Sequence, residues 1–176
     1  MRKSLLVCAV ALAVSSTSFA AEEAGRVEIT WEEPKSYTDI RPSNESRKGF
    51  RDRVFHNIEE HMEELAEDLP EGYTLKMTVT DVDLAGQVWP NRFVGVGRAA
   101  AADVRVVDRL FIPRMEFSYS LADAQGNEVK SAEVNLKDMA FQDRIVRRRH
   151  TDSFVYEKAM LSEWFDKELD ALIVKN

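Results

Sequence analysis

The sequence predicts an α+β protein. It reads as a two-layer sandwich, a mostly antiparallel sheet of four to five strands with two amphipathic helices on one face. Three observations lead there. Short runs alternate apolar and polar residues, as a strand with one buried face does. Two longer runs repeat apolar residues at steps of three and four, the helical period. The order is strand, helix, three or four strands, helix, and short turns join the later strands, which makes them antiparallel neighbours.

The chain begins with an address. Arg2 and Lys3 precede an apolar run from Leu5 to Val14, and Ser18-Phe19-Ala20 fits the small-x-small cleavage rule. An apolar run of about ten residues is half of the roughly 20 that a spanning helix needs, so residues 1–20 predict a cleaved signal peptide and not an anchor. Residues 21–176 then form a single α+β domain.

Val27, Ile29 and Trp31 alternate with Glu28, Thr30 and Glu32, and Pro34 ends this first strand. Tyr37 to Ser46 reads as an ordered loop, with Pro42, Ser43 and Asn44 as turn and cap chemistry. Phe50, Val54, Ile58, Met62, Leu65 and Leu69 make one helical stripe, stopped by Pro70 and Gly72. From Tyr73 a second strand puts Leu75, Met77 and Val79 on one face, with Asp81 and Asp83 in phase with them. Residues 87–102, rich in Gly and Ala, offer little to pack. Val104 to Val107 is a short strand. Ile112–Leu121 and Glu128–Leu136 form a hairpin whose turn is Asp123–Asn127. A last helix spans about Ser153 to Val174, with Trp164 among its core residues.

Composition limits the function. The 176 residues carry 24 Lys+Arg and 31 Asp+Glu, a formal charge of −7. Loss of residues 1–20 removes Arg2, Lys3 and Cys8, which leaves 22 basic against 31 acidic residues, a charge of −9 and no cysteine. That excludes disulfides, thiol chemistry and Cys-ligated zinc, and it disfavours nucleic acid as a partner. Apart from the leader, no stretch is long and apolar enough to predict a transmembrane segment.

Few residues suggest chemistry. Asp81 and Asp83, two apart on a strand, share a face and suit a hard cation or a shared proton. The alternative is a turn held by hydrogen bonds, with Gly86 supplying a positive φ. His56 and His61 lie about 140° apart around the helix, so they cannot hold one metal together and read as solvent-facing. Gly95-Val96-Gly97 imitates a dinucleotide fingerprint but lacks the strand–helix context. No serine sits in a nucleophile elbow. No catalytic residue, metal ligand set or cofactor follows.

The charges are unevenly placed. Arg47, Lys48, Arg51 and Arg53 crowd the start of the first helix, and seven acids from Glu59 to Glu71 crowd its end. This opposes the helix dipole. They form a solvated surface, or another part of the chain or a partner balances them. Within the chain the candidate is the run Arg144, Arg147, Arg148, Arg149 and His150. Outside it, the candidates are another envelope protein or an anionic envelope surface such as lipid phosphates.

Several motifs together resemble a bacterial family known as domain of unknown function 3016. They are Thr80-Asp81-Val82-Asp83-Leu84-Ala85-Gly86, Asp103-Val104-Arg105, Pro113-Arg114, Asp138-Met139 and Tyr156-Glu157-Lys158 with Trp164-Phe165. Val27–Trp31 and Tyr37-Thr38-Asp39 also resemble it. The resemblance implies an exported protein of Gram-negative bacteria and implies no activity. The stretch 92–102 and the triple arginine 147–149 stand apart from it.

The expectation is therefore a periplasmic, non-enzymatic binding or interaction module of the cell envelope. Its candidate residues are Asp81, Asp83, Gly86, Asp103, Arg105, Arg147, Arg148 and Arg149. The alternative is a small metal-binding protein or enzyme using the Asp81/Asp83 carboxylate pair.

Overall fold

A computed structural model describes residues 26–90, 103–143 and 153–172. Within them lie six strands and two helices. They are β1 (Val27–Trp31), α1 (Arg47–Ala66), β2 (Thr74–Asp83), β3 (Gln87–Trp89), β4 (Val104–Val106), β5 (Arg114–Ala122), β6 (Glu128–Lys137) and α2 (Val155–Leu169). The fold is α+β.

The main sheet has four strands in the order β1-β2-β5-β6. It is mixed: β1 runs parallel to β2, while β2–β5 and β5–β6 are antiparallel. The parallel pair follows from connection length. Helix α1 carries the chain back along the sheet before β2 begins, as parallel neighbours require. The expected β5–β6 hairpin is present, and Gly126 takes φ 81° in its turn. Strand β4 does not join this sheet. It pairs with β3 in a separate two-stranded sheet. Strand β3 opens the stretch that the sequence read as having little to pack. Val88 is nevertheless buried between exposed Gln87 and Trp89, a three-residue alternation too short to stand out.

The apolar face of α1 is the predicted stripe, with Phe50, Val54, Ile58 and Met62 buried and Leu65 partly so. It shares one core with Leu75, Met77 and Val79 of β2, and with Met115, Phe117, Tyr119 and Leu121 of β5. From α2 come Met160, Leu161, Trp164, Phe165 and Leu169. Trp164 stands edge-on to Phe117 and Tyr119, with ring centres 4.9 and 5.2 Å away. Burial of each such side chain contributes roughly 1.5–3 kcal/mol.

Ser46 caps α1 by accepting from Gly49 N–H at 3.0 Å. At the other end Arg26 donates to the carbonyls of Ala66, Glu67 and Leu69 at 3.0–3.3 Å. The carbonyls of Ala66 and Glu67 belong to the helix end, that of Leu69 lies just beyond it, and a cation there suits the dipole. Arg26 is thus one balance for the acidic end of α1. The run Arg144, Arg147, Arg148, Arg149 and His150, the sequence's candidate, lies outside the described residues.

His56 is exposed as expected, but His61 is not. Its side chain is 15% exposed, and Nε2 lies 3.0 Å from Lys158 O and 2.9 Å from Ser162 Oγ. Burial against α2 pushes its pKa down. Helical spacing placed it off the α1 stripe, and only the docking of α2 covers it.

Candidate functional site

Two polar regions lie close to the loop that follows β1. The first is the corner after β2, where most motif residues meet. A register shift between Val79 and Asp81 interrupts the β2–β5 ladder. A bulge adds one residue and reverses which side chains face inward. Val82 therefore takes the buried face, and Asp81 and Asp83 turn away from it. This corrects the expectation that the two carboxylates share a face with Leu75, Met77 and Val79. Strict alternation cannot foresee a bulge.

Asp81 is engaged by the loop. Thr38 N–H donates to Oδ1 and the Thr38 hydroxyl to Oδ2, both at 2.6 Å. Tyr37 lies beside it, and its hydroxyl donates to Val79 O at 2.8 Å. Burial, then the charges of Asp81 and Glu32, push the Tyr37 phenol up to about 12. Asp83 forms an isolated parallel bridge with Asp39, beyond the end of the β1–β2 ladder. It sits opposite Arg114 on β5. Desolvation first, then Asp39, hold its carboxyl above the usual aspartate range, against the pull of Arg114.

Arg105 on β4 ties the corner together. It pairs with Asp39 Oδ2 at 3.0 Å, and both side chains are largely buried, 20% and 17% exposed. It also donates to Ala85 O, Gly86 O and Arg41 O at 3.3, 3.1 and 2.9 Å. Gly86 has φ 80°, and a Cβ there would lie 2.4 Å from Val106 O. Only glycine lets β4 approach this closely. Asp103 is further out, 3.7 Å from Arg41.

One corner residue stood in a motif but was not among the sequence's candidates. Glu157, in the first turn of α2, is 3% exposed, and its Oε1 accepts from Ala85 N–H at 2.7 Å. Burial pushes its pKa up, against that hydrogen bond and the nearby Arg105. An acid among the apolar residues of a helix was the available signal. Asp39 was likewise quoted only in a motif, and it is the carboxylate that Arg105 holds.

The second region is a cleft of about 500 Å³ between residues 34–41 and the start of α1. Lys35 and Arg41 line one wall, Arg47, Lys48 and Arg51 the other, and Asp39 is the acid among them. Lys48 pairs with Asp52 at 2.5 Å, and Arg41 with Asp103. Arg53, the fourth basic residue of the helix start, is not in the lining. It pairs with Glu45 and lies over the rings of Phe50 and Phe154. The first turn of α1 holds no acid.

The sequence's site residues thus divide. Asp81, Asp83, Gly86 and Arg105 come together at the corner, Asp103 pairs with Arg41 further out, and Arg147, Arg148 and Arg149 lie outside the described residues. Among the described residues no group of three or more His, Asp or Glu side chains is placed to hold a metal ion. No described helix is long and apolar enough to cross a membrane.

The chain matches the family model described as protein of unknown function (DUF3016) over residues 25–167, and it belongs to that family. No curated protein and no solved structure matches it.

Proposed function

We propose that this protein is a non-enzymatic binding or interaction module of the bacterial cell envelope, acting in the periplasm after residues 1–20 are removed. The carrying observation is a division of labour between the two polar regions. The motif residues at the corner bind one another, whereas the neighbouring cleft keeps cations open to solvent. A corner built this way positions the wall of a cleft; it does not present a reacting group. The export pattern of residues 1–20 supports the location. The same reading takes α1 and α2 as one layer over the four-stranded sheet. Their shared core supports this, as do Lys76, Thr80, Glu116 and Ser118, exposed on its strands.

The competing reading is a metal-binding protein or small enzyme using Asp81 and Asp83. The raised pKa of Asp83, beside Asp39 and Asp81, favours it. The two readings part in one experiment. Photo-crosslinkers at Ser36 and Asn44, exposed beside the cleft, in living cells should give a discrete adduct with an envelope component, and diffuse, non-specific adducts would count against a binding module. In parallel, Ca²⁺, Mg²⁺, Mn²⁺ or EDTA should leave the melting temperature unchanged. A cation-dependent rise that Asp81→Asn and Asp83→Asn abolish would transfer the case to the metal reading.

A further inference from the structure

We propose that the cleft between residues 34–41 and the start of α1 binds a phosphate-bearing group of two or more negative charges. This rests on the binding-module reading and names the ligand class of that module.

The cations converge from two separate segments. Lys35 and Arg41 come from the loop after β1, and Arg47, Lys48 and Arg51 from the first turns of α1. Arg47 and Arg51 are four apart, so they stack on one helix face and repel each other. Lys35, Arg47 and Arg51 have no acidic partner within 4 Å among the described residues, although the chain holds 31 acidic residues for 24 basic ones. A chain with spare acid has left three cations unanswered in one concavity. An anion from outside removes that repulsion.

The shape and the donors narrow the ligand. A volume of about 500 Å³ suits a small molecule or a head group better than a flat surface. Guanidinium forks meet tetrahedral phosphate oxygens two at a time, and three arginines line this cleft. The two hydroxyls in the lining are already engaged, Thr38 donating to Asp81 and Tyr37 to Val79 O, so charge does the selecting.

The test uses the purified protein and two probes, inorganic pyrophosphate and vesicles. Calorimetric titration should show pyrophosphate binding tighter than about 1 mM, weakening as salt is added. Arg47→Gln with Arg51→Gln should weaken it at least about tenfold. Lys35→Gln, on the opposite wall, is the independent check, and it should also weaken binding. Sedimentation with vesicles containing cardiolipin, whose head group carries two phosphates, but not with phosphatidylcholine vesicles, would identify a lipid head group as the source. Pyrophosphate binding without sedimentation would identify a soluble phosphate. The proposal is overturned if neither probe binds, or if binding survives all three substitutions. If the anions fail while crosslinking still captures a partner, the ligand class falls and the binding module stands. If both fail, both fall.

Discussion

The corner and the cleft are neighbours built from the same kinds of side chain, and they use them in opposite ways. At the corner Arg105 gives its donors to Asp39 and three carbonyls, Asp81 takes both donors of Thr38, and Glu157 takes Ala85 N–H. In the cleft Arg47, Arg51 and Lys35 have no such partners among the described residues. The difference is burial. A charge removed from water must be paired, and pairing fixes the chain around it. A charge left in water is free to meet a ligand. On the proposed reading, then, the motif with the richest chemistry serves as scaffold, and the plain basic surface is the candidate for binding.

The sharpest way to break this comparison is Arg105→Ala. It leaves Asp39 half-desolvated and three carbonyls short of a donor. Unfolding in urea should show a loss of about 3 kcal/mol. A loss under about 0.5 kcal/mol, the range of an ordinary surface site, would mean that the corner does not hold the fold.

Glu157 gives a smaller effect with a pH signature. Burial raises its pKa above the ordinary 4.5, and burial raises Asp83 above 3.8. The folded state therefore holds protons that the unfolded chain releases. Stability from this source is full below the ordinary values and declines as pH rises from there through the raised folded values. Glu157→Gln keeps an acceptor for Ala85 and removes the titration. Its stability should fall less between pH 4 and 7 (roughly the span above the ordinary carboxylate range) than that of the parent. Glu157→Leu leaves Ala85 N–H unpaired, with an expected loss of about 1–3 kcal/mol. Parallel pH curves for parent and Gln variant would contradict the buried-acid account.

The cleft should respond least. Arg47→Gln with Arg51→Gln should shift stability by no more than about 0.5 kcal/mol, and the shift should be a gain, since it takes cations from the positive end of α1. A thermal melt checks this. A large loss would show that these arginines are part of the scaffold, and the contrast with the corner would disappear.

Much of the fold was legible along the chain. Phe50 to Met62 repeat at helical steps, and Met115 to Leu121 alternate, because each element buries a face whose period its own geometry sets. The parts that were illegible depend on neighbours. The bulge at Thr80 shows only against β5, the parallel β1–β2 pair only once α1 is placed, and the pairing of β4 with β3 only when both strands exist. The same holds for the site. Asp81, Asp83, Gly86, Asp103 and Arg105 were visible as a dense motif, but their direction was not.

By itself, then, the sequence determined the α+β class, the two helical stripes, the β5–β6 hairpin and the crowding of cations at the start of α1. These are local properties, set by spacing and composition. Tertiary structure alone decided which charges are answered. It brought Arg105 to Asp39 across 66 positions of sequence and Glu157 to Ala85 across 72. It opened a cleft beside Arg47 and Arg51. Electrostatic partnership depends on distance in space and on exclusion of water, and neither is written in the order of residues.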